Sequence, residues 1–172
     1  MRPPAVPLRY ADLLPGDIPG LVAMIRDVFF EFMAPAYTEE GIAYFLSGLE
    51  PTALSARLAS EDRFMLVAKD GDILAGAVEV RDHSHISLLF TAKDYHRRGI
   101  AKELVRLAVS RCREALPSLT AVTLNSSAFA LPVYQRLGFR PTGPRQERNG
   151  MVFTPMALKL ASLPERKPGD SP

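Results

Sequence analysis

His85-Ile86-Ser87-Leu88-Leu89-Phe90-Thr91, followed four residues later by His96-Arg97-Arg98-Gly99-Ile100-Ala101-Lys102, decides how this chain is read. The first run is apolar at its centre, the pattern of a strand buried on both faces. The second opens a helix. Ile100, Leu104, Leu107, Ala108 and Cys112 recur at helical spacing up to Ala115, while Lys102, Arg106, Arg111, Arg113 and Glu114 fall mainly outward. Ala121-Val122-Thr123-Leu124 then reads as a strand, and a strand, helix and strand of this length form a right-handed crossover between parallel strands. At the junction, the unpaired N–H groups of a helix start, a glycine permitting close approach and the cations Arg97, Arg98 and Lys102 make a cradle fitting a pyrophosphate. A solvated basic turn is the alternative that charge and spacing leave open.

Working outward, Phe64–Ala68 and Ile73–Val80 flank Asp70-Gly71 and predict an antiparallel hairpin, with a polar turn at Asp82-His83-Ser84 before the buried strand. Upstream, a strand starts within Pro7–Tyr10. Asp17–Met33 then carries Ile18, Leu21, Ile25, Val28, Phe29 and Phe32 on one helical stripe. Thr38 is placed to cap a short amphipathic segment, and 51–60 reads as a further turn or two of helix. Downstream, Ser127–Leu137 predicts a short helix closed by Gly138, its start delayed or bent by Pro132. Two last strands follow near Phe139–Gly143 and Met151–Leu160, with Asn149-Gly150 entering the second. The predicted fold is α/β (α+β): a mixed, mostly antiparallel sheet of six or seven strands flanked by helices, with one central parallel pair.

At 172 residues with 47% hydrophobic and 23% charged side chains, the chain suits one globular domain, assigned to residues 1–162. The tail 163–172 (LPERKPGDSP) holds three prolines and almost nothing apolar and is expected to be disordered. A formal charge of +2 provides no broad field for nucleic acid or an anionic membrane. The Arg97-Arg98 turn also lacks the interleaved aromatics of an RNA-binding surface. A single cysteine forbids an internal disulfide, and no Cys or HExxH neighbours His83 and His85 to support a metal site. The N-terminus lacks the apolar stretch of a signal peptide and no run is long enough to span a bilayer, so a cytoplasmic location is expected. Neither GxxxxGK[ST] nor GxGxxG occurs, which leaves the usual kinases, ATPases and dinucleotide oxidoreductases unsupported.

The stretch His96–Ala101 resembles the [Q/R]xxGx[G/A] signature of the GNAT superfamily of N-acetyltransferases, with Gly99 and Ala101 matching and His96 at the position of Gln or Arg. Val122–Ser127 and Val133-Tyr134-Gln135-Arg136-Leu137-Gly138-Phe139 resemble that family's strand, Asn turn and Y-x-x-x-GF segment, and the likeness spans roughly residues 8 to 160. The resemblance implies that the parallel pair splays to admit acetyl-CoA. It places the pantetheine arm on the backbone of Leu89, Phe90 and Thr91, the pyrophosphate on His96, Arg97, Arg98, Gly99, Ile100, Ala101 and Lys102, and Asn125 and Tyr134 beside the thioester. Parallel strands that part expose backbone groups able to satisfy a peptide-like arm.

The implied activity is direct acetyl transfer to a primary amine of a small molecule or protein. It needs a neutral amine, although a lysine-like amine has a reference pKa of about 10.4, and a protonated leaving thiolate. Tyr134 is the candidate acid, since a small downward shift brings its pKa of about 10 close to a thiol's 8.5; the alternative is a core or edge tyrosine packing beneath the helix. In the family's register, His85 falls where histone-type members carry a carboxylate base, with Glu79 on the adjacent strand as second candidate. Their alternatives are a surface turn histidine and a solvated strand carboxylate. Cys112, on the apolar stripe, reads as a buried small hydrophobe rather than an acyl carrier. Glu31, Tyr37, Tyr44, Glu147 and Asn149 offer charge and aromatic surface to the acceptor, acidic groups there favouring a cationic amine. A non-catalytic acyl-CoA sensor or assembly module is the rival reading. The exposed edge of the last strands admits a homodimer.

Overall fold

The structure is a computed structural model that describes residues 7–161. The expected disorder of 163–172 lies outside the described residues. Strands β1 (Arg9–Asp12), β2 (Phe64–Asp70), β3 (Ile73–Arg81), β4 (His85–Thr91), β5 (Ala121–Ser126), β6 (Arg140–Pro141), β7 (Gln146–Arg148) and β8 (Met151–Lys159) alternate with helices α1 (Ile18–Phe32), α2 (Glu39–Ser47), α3 (Pro51–Leu58), α4 (Ile100–Ala115) and α5 (Leu131–Arg136). The sheet runs β1-β2-β3-β4-β5-β8-β6, with β7 paired to β8, giving eight strands among the described residues where six or seven were expected. β4 and β5 are the parallel pair, and the other pairings are antiparallel.

Period-2 alternation sends the two faces of β2 into two separate cores. Phe64, Leu66 and Ala68 join Ile100, Leu104, Ala108 and Cys112 of α4, whereas Met65 and Val67 join Leu21, Ile25 and Phe29 of α1. Helices therefore cover both faces. Gly76 lets α4 sit low on the sheet, since a Cβ there would lie 2.8 Å from Ile100 Cγ2 and 3.0 Å from the Phe90 carbonyl oxygen.

Several boundaries differ from expectation for physical reasons. The β2–β3 turn is Gly71-Asp72 rather than Asp70-Gly71: Asp70 pairs with Ile73, and Gly71 takes the positive φ (+60°) at the first central position. Asn149 and Gly150, with φ of +52° and +72°, form a two-residue turn between β7 and β8, so an additional exposed strand precedes Met151. Pro132 sits in the first turn of α5, where its missing N–H is harmless, and the helix starts late as the sequence predicts.

The arrangement that makes room for a site is a β-bulge. Pairing of β3 with β4 shifts between Glu79 and Val80, whose partners are Leu88 and Ile86, leaving Ser87 unmatched. A bulge bends its strand and increases the local twist. On its other edge β4 pairs with β5 only through His85–Thr123 and Ile86–Leu124. The strands part beyond Ile86.

Candidate active site

The gap leads into a cavity of about 450 Å³ whose lining includes Leu89, Phe90, Thr91, His96, Arg97, Gly99, Ile100, Ala101 and Lys102. Nine of the predicted cofactor residues thus come together. Gly99 precedes α4 in the left-handed region (φ +78°), as Arg97 does (φ +63°), and no side chain caps the helix. Such a loop turns backbone N–H groups toward a common point, and an uncapped helix start leaves its first N–H groups available to an anion. A Cβ at Gly99 would meet nothing within 4 Å, so its glycine answers to backbone conformation and the space above it is open. These residues fit a pyrophosphate.

Arg98 lies outside this group, and His96 has a second contact besides lining the cavity. Arg98 does not line this cavity; its guanidinium lies 4.8 Å from the centroid of the Tyr95 ring, a cation–π contact. His96 Nε2 lies 2.9 Å from the Thr91 carbonyl oxygen, which can only accept, so Nε2 carries the proton and the imidazole fastens the loop to the end of β4. The sequence reading missed Phe129, Val133 and Arg136, which also line the cavity. The spacing of 129/130, 133 and 136/137 marks one helical face and was the available signal.

A second cavity of about 500 Å³ adjoins the first and holds His85, Glu79, Asn125, Tyr37, Tyr44 and Asn149. Asn125 therefore lines this cavity and not the first. The roof is made by α2 and the β7–β8 turn: Thr38 Oγ1 accepts from Gly41 N (3.1 Å), capping α2 as expected, and donates to Gly150 O (3.2 Å). The approach is so close that a Cβ on Gly41 would lie 2.2 Å from that carbonyl oxygen. Glu31 and Glu147 do not line this cavity. Glu31 is bonded to Lys93 on a larger groove of about 980 Å³, beside Asp17, Asp27, Asp72 and Asp94, which contains none of the predicted catalytic residues.

Tyr134 lines both cavities, with Met33, Leu89, Phe90 and Ala130 also common to them. The Phe139 N–H bonds the Tyr134 carbonyl (3.0 Å), Gly138 turns the chain at φ +98°, and the fully buried Phe139 ring meets Tyr134 edge-on at 5.7 Å. This explains the Y-x-x-x-GF spacing: the glycine reverses the chain so that the phenylalanine braces the tyrosine. Burial pushes the Tyr134 phenol up from its ordinary value, opposite to the downward shift expected from sequence. The phenol is a persistent donor.

His85 is held down to about 4, first by burial and then by the Arg81 charge, against a smaller opposing effect of Asp82. It is neutral at pH 7, with Nδ1 2.8 Å from Thr123 Oγ1. Glu79 is fully buried, neither a solvated strand carboxylate nor a free base. Arg57 reaches it through two bonds, Nε–Oε1 2.9 Å and Nη2–Oε2 3.0 Å, and Arg63 Nη1 is 3.3 Å from Oε1. Arg57 Nη1 also donates to the Gly48 carbonyl. The carboxylate ties α3 and the α2–α3 turn to β3. Cys112 is buried on α4 and its thiol is pushed up to about 11, consistent with packing. Among the described residues no group of three or more His, Cys, Asp or Glu side chains is placed to hold a metal ion, and no helix is long and apolar enough to cross a membrane.

The sequence profile of the acetyltransferase (GNAT) domain matches residues 33–160. Among solved structures, a GCN5-related N-acetyltransferase from Rhodopseudomonas palustris superposes with a TM-score of 0.75 at 20% identity, over 93% of this chain and 100% of that one. The PaiA N-acetyltransferase from Thermoplasma acidophilum, solved with coenzyme A, gives 0.74 at 19% identity, over 90% and 100%. Spermidine N-acetyltransferase from Vibrio cholerae, in complex with CoA and spermine, gives 0.62 at 17% identity, over 88% and 95%.

Proposed function

This chain belongs to the GNAT acetyltransferases, and from that premise we propose that it transfers an acetyl group from acetyl-CoA directly to a primary amine. The observation that carries the reading is Tyr134 at the wall shared by two cavities, one lined by an anion cradle and the other open to an acceptor. The CoA bound by the Thermoplasma protein supports the choice of cosubstrate.

Acetyl-CoA supplies an acetyl group activated as a thioester. Arg97, Lys102 and the first N–H groups of α4 hold its pyrophosphate, and the β4 edge beyond Ile86, unpaired on the β5 side, binds the peptide-like arm. In the transfer, an N–C bond forms as the C–S bond breaks. Tyr134 meets the negative charge developing on sulfur with a hydrogen bond; its raised pKa keeps the proton on the phenol, and the departing thiolate takes its proton from solvent. His85, uncharged over the working range, accepts a hydrogen bond from the amine or from a water that carries its proton away. With a pKa of about 4 it is an orienting acceptor rather than a strong base.

Calorimetric titration with acetyl-CoA, followed by an amine panel with free-thiol detection, tests the proposal. Saturable binding with amine-dependent thiol release is expected. Binding with no release from any amine would refute transfer in favour of a sensor, and absent binding would refute the cosubstrate.

A further inference from the structure

The acceptor cavity is lined by four arginines: Arg57 from α3, Arg63 before β2, Arg81 at the end of β3 and Arg148 at the end of β7. Among the described residues Glu79 is the only acidic side chain on its wall, and both of its oxygens are engaged by Arg57, one of them also by Arg63. Arg81 is paired with Asp82, which does not line the cavity. Among the described residues Arg148 has no carboxylate partner, and Arg63 uses only one nitrogen in its contact with Glu79. The wall therefore carries an excess of positive charge with guanidinium donors to spare, contributed from opposite ends of the sequence. The remainder of the lining is largely apolar or aromatic, including Tyr37, Tyr44, Phe45 and Phe153.

This composition selects against a polycationic acceptor, which would meet like charge on entry. It favours an amine that brings its own anion. We propose that the acceptor is an amino acid or close analogue, its carboxylate held by Arg63 and Arg148 and its apolar body resting on the aromatic lining. A guanidinium presents planar, paired donors that match a carboxylate. The same charges assist the chemistry, because neighbouring cations disfavour the ammonium form of the acceptor, and the neutral amine is the nucleophile. A cavity that depresses amine basicity has less need of a strong base, in keeping with a His85 that stays neutral.

The inference rests on the acetyl-transfer reading, and the experiment separates their failures. Acetyl-CoA binding to the full chain is first measured by calorimetry. Thiol release is then followed with matched acceptors differing only in the carboxylate: L-phenylalanine against 2-phenylethylamine, and L-methionine against 3-(methylthio)propylamine, with spermidine as the cationic control. The amino acid of each pair is expected to show at least a tenfold higher kcat/KM, expressed mainly in KM. Arg148→Gln and Arg63→Gln should each shrink that ratio several-fold by weakening the amino acid more than its amine, whereas general damage to the fold would lower both alike. Amines or spermidine matching or exceeding the amino acids would overturn the inference and leave acetyl transfer standing. So would turnover of the amines but of neither amino acid, whereas acetyl-CoA binding with no turnover of any acceptor would overturn transfer as well. Failure of acetyl-CoA to bind would overturn both.

Discussion

Glu79→Gln distinguishes a structural carboxylate from a catalytic one. Glutamine preserves the shape but removes the charge, and its amide donor faces guanidinium donors that the carboxylate accepted at 2.9 and 3.0 Å. Removing one partner of a buried ion pair costs about 3–5 kcal/mol, chiefly because the other charge is left without compensation. Here the Glu79 side chain is 1% exposed while Arg57 and Arg63 are 24% and 25% exposed, so water partly resolvates the orphaned arginines and the lower end, about 3 kcal/mol, applies. With a urea dependence of about 2 kcal/mol per M, the unfolding midpoint should fall by about 1.5 M. Far-UV circular dichroism in urea measures this directly. Arg57→Gln should lose a comparable amount, and the double variant less than the two losses combined, because both act on one interaction. A Glu79→Gln protein that unfolds within about 0.3 M of the parent while losing turnover would refute the reasoning and make Glu79 a base.

Tyr134→Phe should lower kcat by about 10²-fold or more while leaving acetyl-CoA affinity within about twofold, measured by thiol release and calorimetry. Arg97→Gln and Lys102→Gln should each weaken CoA by about tenfold with little effect on pantetheine, which lacks the pyrophosphate, whereas Arg98→Gln, stacked on Tyr95, should change CoA affinity much less. Gly41→Ala forces the roof away from Gly150; it should raise the acceptor KM, leave acetyl-CoA binding intact and cost about 1–3 kcal/mol of stability. His85 has a folded pKa of about 4, below its ordinary value, so between about 4 and 6.5 the unfolded chain binds a proton that the native protein does not. Stability therefore rises with pH through that window and is lost as pH falls. His85→Gln should remove this contribution, seen as a smaller difference between urea midpoints at pH 4.5 and pH 7.

What the sequence made legible was local. The strand-to-helix junction at 91–102, the helical stripe of α4, Thr38 as a cap and the restriction by Pro132 depend on neighbours a few residues apart, and the structure reproduces them. β7 escaped because Gln146-Glu147-Arg148 is exposed throughout and has no alternation to read. Glu79 looked solvated because its partners lie 22 and 16 residues away and reach it only once α3 folds over β3. Arg97 and Arg98 are equivalent in charge and differ only in aim, which backbone conformation decides: one borders the cavity and the other covers Tyr95. The direction of the Tyr134 shift was likewise invisible, since it arises from burial that a sequence position does not state.

The bulge at Ser87 links these features into one device. Continuous pairing of β4 with β5 would occupy the polar edge that an extended ligand needs, while a complete break would leave the central strands unsupported. Two paired residues, His85 and Ile86, anchor the parallel pair to Thr123 and Leu124, and the bulge then directs the rest of β4 away. Tyr134 enters the gap from α5, braced by Phe139 against the core. The residue that ends the pairing region on one side, His85, and the residue that fills the opening on the other, Tyr134, therefore both line the acceptor cavity without being near each other in sequence. The site's geometry follows from where the sheet stops being continuous. In the proposed reading its selectivity has a separate source, the arginines that α3, the segment before β2, β3 and the β7–β8 hairpin bring to the wall, so substitutions there should change acceptor preference while leaving the transfer chemistry fixed.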